Sequence, residues 1–202
     1  MSFEVLVGGT TVGIKTVEGV VLAADKRLVY GYTILSKSAK KVYPINDRIG
    51  VGFAGLIGDM QALVRRVVSM VNLYEIENET KISVASVGKL LSVILYNSRF
   101  TPYLTETILG GYDNNGFHLY TLDALGSLLL EDYTAIGTGA GISLGILESE
   151  YKEQMSLDEA IGLAIKSVKQ AIMRDIGSGD GIDLLIITNQ GTREQTFALE
   201  SK

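Results

Sequence analysis

The chain has 202 residues, 47% of them hydrophobic and 20% charged, so it suits one sizeable domain with a large core and excludes a disordered chain. Eighteen basic against 23 acidic side chains give a net charge of −5, which argues against a surface built to neutralise nucleic-acid phosphates. With no cysteine and one histidine, His118, there is no disulfide framework, no thiolate zinc site and no multi-histidine metal centre. Apolar runs such as 20–24 and 184–187 fall far short of the roughly 20 residues a membrane-crossing helix needs. The opening MSFEVLVGG has neither a basic start nor a long apolar stretch, so it does not read as a secretory signal.

The first 55 residues read as strands, with β-branched and apolar runs at 11–16 and 20–25 joined by a tight hairpin at 17–19. Residues 32–36, 41–43 and 49–54 continue the pattern, with breaks at Gly31, Pro44 and Asn46-Asp47. From Gly58 the period changes. Met60, Leu63, Val64, Val67, Val68 and Val71 recur at helical spacing, and a second helix starts at Ser83 and closes before Pro102. Strands follow at 108–111, 117–122, 127–130 and 133–136, with a turn at 113–116. Two more helices span 142–151 and 157–175, the latter opened by a capping box in which Glu159 stands three residues after Ser156. The chain closes with a strand at 182–188, a turn at 189–191 and a last strand at 195–199.

Strands, two helices, strands, two helices, strands is not the alternation of a parallel doubly wound fold. Two antiparallel sheets packed face to face, with helices outside both, fit it. The inner strands must then be apolar on both faces, as 20–24 and 184–187 are.

Several motifs invite chemistry. Gly137-Thr138-Gly139-Ala140-Gly141 resembles a phosphate loop but lacks the third glycine of G-x-G-x-x-G, where Ile142 stands, and no βαβ unit surrounds it. Its glycines suit close backbone approach or N–H groups at a helix start. His118 lies in a strand of alternating polarity and is assigned no role. Asp25 ends a wholly apolar strand, so it emerges from buried sheet at a defined point. An antiparallel layout brings Lys41 beside it as a desolvated pair able to tune a proton acceptor. Residues 174–181 end a helix in a glycine-rich loop whose Asp175 and Ser178 suit hydrogen bonding to an amine or hydroxyl.

Taken in order, 10–14 (TTVGI), 22–27 (LAADKR), 38–42 (SAKKV), 53–59 (FAGLIGD), 109–113 (LGGYD), 137–139 (GTG) and 174–180 resemble a β subunit of an archaeal-type 20S proteasome, an N-terminal-nucleophile hydrolase. The resemblance covers almost the whole chain. It implies an α+β fold, a four-layer αββα sandwich of two antiparallel sheets, with a propeptide at 1–8 and a single domain at 9–202. It implies a cytoplasmic threonine endopeptidase that needs no metal or cofactor. Self-cleavage after a glycine frees an N-terminal threonine, whose hydroxyl attacks a peptide carbonyl while its α-amine takes the proton. An amine with an unperturbed pKa of roughly 7.7–8.0 is a fitting base near neutral pH. The implied partners are proteasome α subunits, other β subunits in heptameric rings, an ATP-driven unfoldase and unfolded polypeptides, with no nucleic acid and no membrane.

Residue by residue, Asp25 and Lys41 match the pair that orients and activates the nucleophile, and Asp175 and Ser178 match the pair that binds near its amine. Thr138 stands where many members have serine, and Gly55 matches the glycine whose N–H polarises the attacked carbonyl. Phe53 and Ile57 match positions lining the main specificity pocket and imply cleavage after hydrophobic residues.

One position departs from the pattern. The family's nucleophile stands sixteen residues before the acidic residue and thirty-two before the lysine; counted back from Asp25 and Lys41, both reach Gly9. Three explanations stand: an engineered Thr→Gly change that blocks processing, a naturally non-catalytic subunit kept for ring assembly, or a slip of register that makes Thr10 the nucleophile. Intact Asp25, Lys41, Asp175 and Ser178 favour the first over the second, and the intact Val12-Gly13-Ile14 match disfavours the slip.

Overall fold

The computed structural model describes residues 8–198; the expected propeptide up to residue 7 and the last expected strand residue, Leu199, lie outside them. Two five-stranded antiparallel sheets form the centre. One has the order β10-β1-β2-β11-β12, from Tyr133–Gly137, Thr10–Lys15, Val20–Asp25, Ile182–Thr188 and Gly191–Phe197. The other has the order β5-β6-β7-β8-β9, from Val42–Pro44, Ile49–Gly55, Thr105–Asp113, Gly116–Leu122 and Leu129–Leu130. A separate hairpin pairs β3, Leu28–Tyr30, with β4, Thr33–Ser36.

Three apolar clusters separate four layers. Helices α1 (Ile57–Asn78) and α2 (Val84–Asn97) bury Met60, Leu63, Val67, Val87 and Leu91 with Val51, Phe53 and Leu109 of the second sheet. Helices α3 (Ala140–Glu150) and α4 (Leu157–Arg174) bury Leu147, Ala164 and Val168 with Val12, Ile14, Val21 and Ala23 of the first. Between the sheets lie Val20, Leu22, Ala24, Ile108, Leu119, Leu185 and Ile187. Strand β2 shows how one run serves two interfaces, since Val20, Leu22 and Ala24 face the other sheet while Val21 and Ala23 face the helices. The expected αββα sandwich is the observed one.

The helix starts are built as the sequence predicts. Ser156 Oγ accepts from Glu159 N at 3.3 Å and Glu159 Oε2 accepts from Ser156 N at 2.8 Å, completing the capping box. Ser83 caps α2, and Asp113 Oδ2 accepts from Val84 N at 2.9 Å across the fold. Asp113 also takes Asn115 N at 2.8 Å and lies 3.2 Å from His118 Nε2. Burial pushes its carboxyl up, but these N–H groups outweigh that and hold it below the usual range. Asp113→Ala is expected to cost about 1–2 kcal/mol, like a lost helix cap, measured by urea denaturation. The depressed pKa means this contribution is present at neutral pH and fades as pH falls through the lowered value.

Several boundaries differ from the expectation. Helix α1 runs on to Asn78, and β12 starts at Gly191 because Asn189 and Gln190 alone turn the chain. The Gly191–Phe197 edge strand is mostly exposed, so its polar sequence carries no apolar alternation to mark it. Strand β3 has no separate sequence signal and exists by pairing with β4. On the outside of α1 and α2, Met70, Leu73, Tyr74, Leu90 and Val93 line an apolar groove of about 520 Å³. Among the described residues no helix is long and apolar enough to cross a membrane.

Candidate active site

Strand β1 begins at Thr10 between β10 and β2, with Thr10 opposite Gly137 and Thr11 opposite Ala24. This register sets residue 9 between the end of β2, where Asp25 stands, and the turn after β10, which carries Thr138. Asp25 is fully buried. Its Oδ1 accepts from Thr10 N at 2.8 Å and Lys41 Nζ at 2.7 Å, and its Oδ2 from Arg27 N and Gly179 N, both at 2.9 Å. The two side chains of the Asp25–Lys41 pair are both 0% exposed. Burial pushes the Lys41 ammonium below the ordinary lysine value, although the Asp25 carboxylate pulls it back up.

A second carboxylate organises the hydroxyls. Asp175 follows α4, and its Oδ2 accepts from Thr138 Oγ1 and Ser178 Oγ, both at 2.6 Å, while Oδ1 takes Gly177 N at 3.1 Å. Ser178 gives its one proton to Asp175, so across the 2.7 Å contact it accepts from Thr10 Oγ1. Thr138 likewise spends its proton on Asp175 and accepts from Gly9 N at 3.2 Å. The Thr10 hydroxyl is therefore buried and directed at Ser178.

The residue facing that pair is Gly9. Its φ is +131°, a region L side chains rarely adopt. A Cβ built there would run into Lys41 Nζ and come within 3.2 Å of Asp25 Oδ1. The glycines of 137–139 do what their spacing suggests, letting backbone close in. A Cβ on Gly139 would strike the Thr10 hydroxyl, and one on Gly137 would strike the Gly9 carbonyl and lie 2.7 Å from Ala54 Cβ. Gly55, next after Ala54, has φ +134° and no room for a side chain beside the Leu104 carbonyl.

Gly9, Asp25, Lys41, Thr138, Asp175 and Ser178 are thus joined in one network, with Gly55 beside it through Ala54. The side chains of Phe53 and Ile57 are not part of that network, although Phe53 N donates to the Lys41 carbonyl at 2.9 Å. The Phe53 ring is 0% exposed, sealed in the helix-facing core with Tyr43 set edge-on at 6.2 Å, and Ile57 is half-buried at the start of α1. Sequence reading gave no separate role to Arg27, Gly179 and Asp180, and weighed Thr10 only as a nucleophile, not as a donor to Ser178. The signal was present in Arg27 just past β2 and Asp180 just before β11, strands whose antiparallel register pairs Asp25 with Ile182.

An αββα sandwich whose first strand opens onto a buried Asp–Lys pair defines the N-terminal-nucleophile hydrolase class of fold. Within it, the family model described as "Proteasome subunit" matches residues 5–187. The chain is 51% identical over 191 residues to proteasome subunit beta 2 of Thermofilum pendens, covering 95% of this chain and 94% of that protein. It is 46% identical to proteasome subunit beta 2 of Pyrobaculum calidifontis, covering 99% and 98%. It is 48% identical to proteasome subunit beta 1 of Ignicoccus hospitalis, covering 96% and 98%. The chain belongs to the proteasome subunit family, among the archaeal-type β subunits, and that membership implies assembly with α and β subunits.

Proposed function

We propose that this chain is a β subunit of a cytoplasmic 20S-type proteasome core that keeps the frame of a threonine-peptidase site but, with Gly9, lacks its nucleophile. It fills a place in a heptameric ring under the α subunits, inside a chamber that receives unfolded polypeptides from an ATP-driven unfoldase, and it stays uncut at residue 9. The observation that carries this reading is that the residue facing Lys41 and Asp25 is a glycine whose missing Cβ would lie against Lys41 Nζ. Three hydroxyls lie nearby, and each is committed elsewhere: Thr138 and Ser178 donate to Asp175, and Thr10 donates to Ser178. This arrangement disfavours Thr10 as the attacking group. The apolar groove on α1 and α2 supports a role in assembly, since exposed patches of that kind mark protein contacts.

With threonine at position 9 the frame has work to do. The new hydroxyl adds to the Gly8 carbonyl, the acyl group passes from nitrogen to oxygen and so frees the residue 9 amine, and water then hydrolyses the ester to release residues 1–8 as a carboxylate and restore the hydroxyl. That amine then serves as base for peptide cleavage, the Lys41 cation keeps its pKa low, and the Gly55 N–H polarises the carbonyl. Apolar, half-buried Ile57 favours cleavage after hydrophobic residues, whereas the Phe53 ring acts from behind as core packing.

The test is hydrolysis of a fluorogenic peptide with a hydrophobic P1 residue, using particles assembled with α subunits. The Gly9→Thr chain is expected to lose residues 1–8 by mass spectrometry and to hydrolyse the peptide, while the unaltered chain does neither. Silence from both makes the subunit a purely structural one. Activity in the unaltered particle would assign the reaction to Thr10.

A further inference from the structure

We infer that Arg27 is a positioning residue for this site: its guanidinium clamps the loop at 176–180 and so fixes Ser178 and Asp175 against the start of β1. Arg27 Nε donates to Asp180 Oδ2 at 2.8 Å, and Nη1 donates to the Ile176 carbonyl at 3.2 Å. Those two anchors stand two residues either side of Ser178. The flat face of the guanidinium covers Gly179, where a built Cβ would run into Cζ, Nε and Nη2. The backbone closes the third side. Lys26 N donates to the Gly179 carbonyl at 3.0 Å, and Arg27 N and Gly179 N share Asp25 Oδ2.

The clamp holds a conformation the loop has reason to leave. Asp180 has φ +69°, in the left-handed region that a non-glycine residue seldom occupies without support. Asp175 ends α4 at its other edge, so the loop spans from a helix end to the first residues of β11 with the two hydroxyl-binding groups between. Arg27 itself bonds neither Asp175 nor Ser178, and its influence passes through the backbone that carries them. Lysine is a poor substitute, because a single ammonium cannot reach the Asp180 carboxylate and the Ile176 carbonyl while lying flat on Gly179.

The experiment compares Arg27→Gln, Arg27→Lys and, as a neighbouring charge control, Lys26→Gln, which breaks the 2.7 Å pair with Asp183. Each is made in the unaltered chain and with Gly9→Thr, and all are assembled with α subunits. In the unaltered chain, Arg27→Gln is expected to speed amide exchange at residues 177–180 by about tenfold or more, with α1 and β7 unchanged. In the Gly9→Thr particle, kcat is expected to fall roughly 10–100-fold with KM little changed, as for a misplaced catalytic group. Arg27→Lys is expected to restore neither slow exchange at 177–180 nor kcat, and Lys26→Gln changes neither readout. Unchanged exchange in Arg27→Gln overturns the clamp. Faster exchange with full kcat overturns positioning and leaves a structural tie only. The activity arm rests on the peptidase frame proposed above. A silent Gly9→Thr particle with Arg27 intact overturns that frame, and the exchange arm then decides the clamp by itself.

Discussion

Replacing Asp25 with alanine is expected to cost about 3–5 kcal/mol of folding stability, the range for breaking a buried ion pair from one side. For a chain of this size that lowers Tm by roughly 6–20 °C, readable by calorimetry. The cost is large because one fully buried carboxylate accepts from Lys41 Nζ and from the backbone N–H groups of Thr10, Arg27 and Gly179. Its removal leaves an ammonium and three amides without their acceptor. Lys41→Met is expected to be milder, since Asp25 keeps its three N–H donors. The Asp25→Ala/Lys41→Met double variant is expected to be more stable than the sum of the two losses, because no orphaned charge remains. A loss under 1 kcal/mol for Asp25→Ala would contradict this account.

The same pair has a pH signature. Lys41 has a lowered pKa in the folded chain, with burial as the main cause. Between that lowered value and the ordinary lysine value, the unfolded chain binds more protons than the folded one. Stability therefore rises with pH through that window as far as Lys41 is concerned. Lys41→Met lacks this term, so the gap between unaltered and variant stability is expected to widen toward alkaline pH. A gap that narrows there would mean the lysine pKa is raised instead.

Gly9→Ala is expected to destabilise the uncut chain by about 2–4 kcal/mol, combining a strained dihedral with an overpacked side chain. Lysine is a flexible side chain, but Lys41 has little freedom to yield. It is buried and tied to Asp25 at 2.7 Å, so the new methyl must displace that bond or twist the backbone. Gly162→Ala in α4 serves as control, because nothing stands within 4 Å of its Cβ position and alanine favours helix. That change is expected to be neutral or stabilising by up to about 1 kcal/mol. The loss at Gly9 should shrink in a chain that begins at residue 9, since a free amine has no φ to strain. Equal losses in cut and uncut chains would remove the dihedral from the explanation. The same reasoning applies to Gly9→Thr, whose uncut form carries strain that cleavage before residue 9 releases.

The reading of the sequence reached most of the fold because its signals are local. Residues 20–24 are apolar throughout, which marks an inner strand before any partner is known. Met60, Leu63, Val67 and Val71 recur every three or four residues and form the buried stripe of α1. Ser156 and Glu159 announce the start of α4 by reciprocal bonds within one turn. The spacing that the family resemblance implies points to Gly9, and in the fold that residue lies beside both Asp25 and Lys41. Where the local signal is weak, the boundaries moved, as at the exposed edge strand Gly191–Phe197 and the short β3.

What the amino-acid order determined by itself is the layer plan and the helix starts, which depend on side-chain periodicity and on neighbours three or four positions apart. Only the tertiary structure decided that Thr10 points to Ser178 168 positions away, that Arg27 reaches Asp180 across 153, and that Phe53 is sealed in the core. It also decided the positive φ of Gly9 and the closeness of Lys41 behind it. These follow from the register between β1, β2 and β11 and from which face of β6 meets α1. Register is a property of paired strands, and no single segment of the chain contains it.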